Sequence, residues 1–311
     1  MKPSKPSEDS KKLPGGLAAC LAVLSVACLF SYWHVVERLW KLWGSSPDMS
    51  HGYLVPVIAA GLLWIRRSRR PSAEEVGGWG WFALGIVILS LGGALRLTGI
   101  LYRSTTIEAW SILPFCLGLT LCCGGRKGLV WAWPSVVFLA FMLPLPNSVG
   151  GLLSASLQRM ATISSTYLLQ LLGIPAIAQG NVIWLSQETV GVAEACNGLR
   201  MLTSFCAMAV AACFIIERPF WQNGIVLLSA PLIGVIANLL RVTATGAAYE
   251  WSDSEAFSTF IHDFAGWLMM PIGIAMLWGE LKILQNVFLA SDDDLQSLTP
   301  YHSTNGAAAS G

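Results

Sequence analysis

Charge is what this 311-residue sequence has least of: Lys, Arg, Asp and Glu make up 12% of it, against 54% hydrophobic residues. A soluble domain carries roughly 25% charged residues, so the chain lacks the polar surface of a soluble globule. Histidine is scarcer still, with four copies. No basic run interleaved with aromatics occurs, and no zinc-type Cys/His spacing, which sets aside nucleic-acid binding and a structural metal. A glycine-rich phosphate loop and a paired-carboxylate site are also missing, and nothing requires a cofactor. Eight cysteines invite a disulfide reading. Cys20, Cys28, Cys116, Cys122, Cys206 and Cys213, however, fall in or beside apolar runs, where cysteine acts as a small hydrophobe. Only Cys196 has polar neighbours, and it has no external partner cysteine, which argues against a thiol redox pair.

What the chain has instead is apolar runs, a mean hydropathy of +0.60, 14 Trp and 30 Gly. These point to an all-α polytopic integral membrane protein, with Trp at the interfaces and Gly where helices approach closely. Eight runs are near the ~20 residues that cross hydrocarbon: 15–33, 51–65, 79–101, 106–123, 129–144, 196–216, 222–240 and 262–286. The first has no small-x-small cleavage site and ends in Phe30-Ser31-Tyr32-Trp33, an interfacial belt, so it reads as an uncleaved span. Lys2, Lys5, Lys11 and Lys12, the arginines of 66–70, and Arg126-Lys127 then all fall on one side, the cytoplasmic side of the inner membrane. Residues 1–14 form a cytoplasmic tail, 15–286 the membrane domain, and 287–311 a disordered cytoplasmic tail. Within the external stretch 147–195, residues 150–173 read as an interfacial amphipathic helix, with a poorly apolar span as the alternative. Residues 177–193 read as an extended segment over the site. The loop 242–261 carries Glu250, Asp253 and Glu255 as a solvated face.

Three places at the edges of apolar runs meet on the external side in this topology. Cys196, in Glu194-Ala195-Cys196-Asn197-Gly198-Leu199-Arg200, heads the sixth span, where free backbone N–H groups and the helix dipole favour a thiolate. An inert buried cysteine would not need Glu194, Asn197 and Arg200 around it. Arg200 lies one turn deeper on the same face, and a charge at that depth is costly. Arg241 closes the seventh span three residues after Asn238 on a shared face. It reads either as a snorkelling boundary arginine or as a guanidinium that holds a carbonyl oxygen as charge develops. His262 opens the eighth span as a helix cap or as a neutral base. A Cys, an Arg and a His at one level are the parts of a thiol acyl-transfer site. His51, with Asp48 and Ser50 beside it, reads first as a cap of the second span and second as a substrate-binding residue.

The Cys196 block, Asn238-Leu239-Leu240-Arg241 and His262-Asp263-Phe264-Ala265-Gly266-Trp267 resemble the three signature blocks of the exosortase/archaeosortase family. Ser50-His51-Gly52-Tyr53-Leu54-Val55-Pro56 followed by Arg66-Arg67 is similar too, and the resemblance covers about residues 15–285. It implies a membrane cysteine protease or transpeptidase. Its partners would be membrane lipid and exported proteins that end in a short motif such as Pro-Glu-Pro, a hydrophobic helix and a basic cluster. In that scheme Cys196 forms a thioester at the outer face, Arg241 stabilises the oxyanion, and His262 acts as base and then acid. Glu194, Asn197, Arg200, Asn238 and His51 would support them. His262, where the archaeal branch has arginine, points to the bacterial exosortase branch. Asn197 stands where many relatives have serine. The rival class is a transporter or exopolysaccharide-export component without covalent chemistry. It would place polar residues at mid-span on several helices, whereas here they gather at one face, with Arg96 and Arg200 as partial exceptions.

Overall fold

The structure, a computed structural model, describes residues 15–71, 78–186, 188–192, 198–216, 218–251, 260, 264, 268, 271–284 and 286. The tails 1–14 and 287–311 lie outside the described residues.

Long apolar runs without strand-type alternation form helices. Helix α1 (Gly15–Ser45) leads through a 3-10 segment, Pro47–Tyr53, into α2 (Val55–Ile65). Pro56 falls in the first turn of α2, where a missing N–H is tolerated. A second 3-10 turn, Arg66–Arg69, ends that helix. Next come α3 (Trp79–Leu101), α4 (Thr105–Trp110, capped by Ser104 Oγ) and α5 (Ile112–Phe138). The α5 helix is not one rod. Gly125, at φ 56° and ψ −151°, takes a conformation open essentially to glycine alone, and the chain reverses there. Trp110 Nε1 donates to Pro144 O at 2.8 Å, a contact that a straight helix of about 50 Å between them would forbid. The two arms correspond to the fourth and fifth spans of the sequence reading, with Arg126 and Lys127 at the turn.

Glycines spaced seven apart let α3 lie close to the first arm. A Cβ on Gly85 would come within 2.6 Å of Cys122 Sγ, and one on Gly92 within 3.0 Å of Phe115 N. Between helices in lipid, such close backbone approach is itself a main source of association. Gly92→Leu is therefore expected to reduce the monodisperse fraction of detergent-extracted protein several-fold, measured by size-exclusion chromatography. An unchanged profile would show this packing to be dispensable.

Helix α6 (Asn147–Leu171) buries Ala161, Thr162, Ser165 and Thr166, and exposes Leu152, Tyr167 and Leu171. It does not lie apart from the bundle as an isolated surface helix would. Ser165 Oγ donates to Leu239 O at 3.4 Å, and Leu169 presses on Gly246. Strands β1 (Ile177–Gln179), β2 (Val182–Trp184) and β3 (Thr189–Gly191) form an antiparallel sheet in that order, with Gly180 at φ 64° in the first turn. Ile183, Val190 and Val192 close a buried cluster with Leu169, Val242 and Ala247. The extended segment expected over 177–193 is this sheet.

Helices α7 (Gly198–Ile215) and α8 (Phe220–Trp251) run antiparallel. The helix over 271–284, here α9, packs back on both, with Leu277 and Leu284 against Ala209, Val226 and Ala230. Among the described residues five helical stretches are long and apolar enough to cross a membrane: Asp48–Arg69, Trp79–Leu101, Thr105–Met142, Gly198–Ile215 and Phe220–Trp251. The third of these contains the Gly125 reversal. The count of eight stays an expectation of the sequence, and α1, α6 and α9 are not among the five.

Two ends of the bundle are distinct. At one, Arg66 donates to the carbonyls of Val130 and Trp131, and a cavity of about 710 Å³ gathers Arg66, Arg69 and Arg218. At the other, Trp43 Nε1 donates to Met142 O at 3.0 Å, and α7 begins.

The sequence reading ended the seventh span at Arg241 and placed a loop after it. The structure corrects this: α8 continues to Trp251. A drop in hydropathy marks where apolar character stops, not where a helix stops. Val242, Thr245, Ala247 and Ala248 are buried, and that packing sustains the extra turns. Glu250 is accordingly a helix residue, and its Oε2 accepts from Ser186 N at 3.2 Å, tying down the β2–β3 hairpin. Asp253 and Glu255 lie outside the described residues.

Candidate active site

Small residues set the register of α7 on α8. A Cβ on Gly198 would lie 3.2 Å from Asn238 Nδ2, and one on Gly234 would lie 3.1 Å from Leu202 Cα. Each step forward along α7 is thus a step back along α8. Arg241 lies three residues past Asn238, the residue that meets Gly198 at the first turn of α7. Its side chain is 7% exposed, so it does not snorkel to an interface. Asn238 is buried too, and its Oδ1 has no hydrogen-bond partner among the described residues. A small cavity of about 70 Å³ adjoins Gly198 and Asn238, bounded by Leu157 and Met160 of α6. Glu194, Cys196, Asn197 and His262 lie outside the described residues.

A larger cavity of about 510 Å³ opens at the same end of the bundle. Asp48, His51, Trp110, Phe141, Asn147 and Leu199 are among its walls, and its size is that of a ligand site. His51 Nε2 lies 3.0 Å from Phe141 O. A carbonyl only accepts, so the proton of this bond sits on Nε2. This contact ties the segment before α2 to the end of the second α5 arm. Arg200, on the first turn of α7, has its Nε 3.9 Å from Asp48 Oδ1, with both side chains partly exposed. The structure therefore brings Arg200 beside Asp48, which shares a cavity wall with His51, and Asn238 to the start of α7.

Over residues 43–279, more than half its length, the chain matches the transmembrane exosortase family. The chain belongs to that family. This exosortase is accordingly an integral membrane protein of a protein-sorting family, whose members are generally cysteine transpeptidases or proteases. Comparison with curated proteins and with solved structures returned no match.

Sequence reasoning treated Asp48 as a neighbour of His51 and missed its pairing with Arg200. The available signal was a carboxylate heading the second span on the side where Arg200 heads the sixth. It also missed Trp110 and Phe141 as cavity walls. Their runs look like any other apolar span, and only the Gly125 reversal brings them together.

Proposed function

We propose that this exosortase cleaves C-terminal sorting signals of exported proteins by thiol acyl transfer at the external face of the inner membrane. Its substrates end in a motif of the Pro-Glu-Pro kind, a hydrophobic helix and a basic cluster. Cys196 gives its thiol proton to His262 and attacks the scissile carbonyl, the C–N bond breaks, the leaving amine takes that proton from His262, and the acyl group remains as a thioester. His262 then removes a proton from water or an amine, which attacks the thioester and regenerates the thiol. Arg241 holds the carbonyl oxygen as charge develops on it. Glu194, Asn197, Arg200, Asn238 and His51 shape the surroundings. The arginine-rich end faces the cytoplasm.

The observation that carries this reading is the burial of Arg241 three residues past Asn238, which packs against Gly198 at the first turn of α7. A buried guanidinium is expensive in a membrane protein and marks function by default. The test is co-expression with an exported protein bearing such a tail. A shortened product that appears only with this chain is expected, and a covalent acyl-enzyme should be released by hydroxylamine. Absence of both would overturn the reading in favour of a transporter. His262→Ala is expected to lower the rate of product formation by about 10²–10⁴-fold. Full activity in that variant would remove His262 from the acid–base role.

A further inference from the structure

The sheet beside the site has an edge that the reaction above does not use. In the order β1-β2-β3, β3 has β2 on one side and, among the described residues, no strand on the other. Leu185 N donates to Glu188 O and Val192 N donates to Asn181 O, both at 2.9 Å. With Ile183 opposite Val190, the ladder's hydrogen-bonded positions on this strand are 188, 190 and 192. Antiparallel pairing alternates, so the N–H and C=O groups of Thr189 and Gly191 point away from β2. Thr189 is exposed, and a Cβ on Gly191 would meet nothing within 4 Å. Edges of this kind are usually blunted by Lys, Pro or a bulge, and Thr189-Val190-Gly191 carries none of these.

An open edge accepts one kind of ligand, another extended chain. The position of the edge says which. β3 is anchored by the buried Val190 and Val192 in the same cluster as Val242, next to Arg241, and it runs directly into the segment of Cys196. On the reaction proposed above, a peptide laid along β3 lies beside the strand that precedes the nucleophile by five residues in sequence. Its main chain is held by backbone groups that are indifferent to side chains.

We infer that the extended segment beside the scissile bond of the sorting signal adds to β3 as a fourth strand, hydrogen-bonded to Thr189 and Gly191. This rests on the reaction proposed at Cys196. Strand pairing imposes a period of two: alternate substrate residues turn their N–H and C=O toward β3, and those between turn theirs away.

The period is the test. The full-length protein in detergent is given synthetic tail peptides, each N-methylated at one successive residue upstream of the scissile bond. Methylation at every second residue is expected to raise KM about tenfold, the worth of one backbone hydrogen bond. Methylation of the residues between should leave it unchanged. Gly191→Pro removes only an outward N–H, which an edge strand tolerates. It should give the same rise in KM without lowering the melting temperature. Ala178→Pro, which removes an outward N–H on the opposite edge of the sheet, should leave KM unchanged. Equal cleavage of all the peptides, or losses without alternation, would overturn the inference while leaving the reaction standing. Failure of wild type to cleave the unmethylated peptide would remove the reaction itself. A dimer that forms through this edge and is lost in Gly191→Pro would assign the edge to a second copy and also overturn the inference. Should Gly191→Pro not fold, the methylated series decides alone.

Discussion

Cys196→Ser is expected to stop processing of a tail-bearing substrate, by at least about 10³-fold in rate, while the variant accumulates in the membrane at wild-type level. A serine hydroxyl occupies nearly the same space as the thiol but holds its proton far more tightly. A helix start, where the sequence reading puts Cys196, has unsatisfied N–H groups that favour a thiolate at neutral pH and do too little for an alkoxide. Two readouts keep the result interpretable. Immunoblotting of the membrane fraction reports the amount of enzyme, and the mobility of the substrate reports cleavage. Equal processing by both proteins would sink the cysteine mechanism, whatever the family. Loss of the shortened product together with loss of hydroxylamine-releasable acyl-enzyme would place the covalent step on this sulfur.

Arg241→Lys should cost about 10²–10³-fold in kcat, with KM changed little. The substitution keeps the positive charge and most of the length, so the burial that holds α8 against α6 and the sheet is retained. It removes the planar fork, which can present two N–H groups to one oxygen or carboxylate in a fixed direction. A buried cation that only stabilised the fold would behave differently. Lysine would then lower the melting temperature and leave the turnover of the surviving protein intact. Purified variant, assayed per folded molecule on the tail peptide, separates the two outcomes. Wild-type kcat at reduced thermal stability would reassign Arg241 to structure.

Several features of the fold were legible because single residues announce them. Four arginines within 66–70 mark the end of a span, and Arg126-Lys127 marks the turn that Gly125 makes. The spacing of Asn238 and Arg241 also predicts a shared face, and both side chains are buried. Other features depend on partners far away in sequence. Nothing local in Thr243-Ala244-Thr245-Gly246-Ala247-Ala248 says that α6 and the sheet will bury it and extend α8 by more than two turns. The packing of helix α6 was hidden for a related reason. Thr162, Ser165 and Thr166 face protein while Leu152, Leu153 and Leu171 face outward, so much of the helix surface is the inverse of a helix on a soluble core. The pairing of Asp48 with Arg200 spans two helices that are neighbours only once the bundle has assembled.

The unbroken course of α8 fixes a distance. From Phe220 to Arg241 the helix rises about 32 Å, close to the ~30 Å hydrocarbon thickness of a bilayer. Pro231 lies in between without ending the helix. The guanidinium is thus carried on a stiff rod whose foot is at the arginine-rich end, so its height is measured from the far leaflet rather than set by a flexible loop. In a thinner bilayer the rod would tilt rather than shorten. Arg241 and the start of α7, packed along that rod, would tilt together. Their mutual geometry would hold while their depth relative to the lipid headgroups shifted, making membrane thickness a determinant of how deeply a tail must be drawn in before its scissile bond is level with the site.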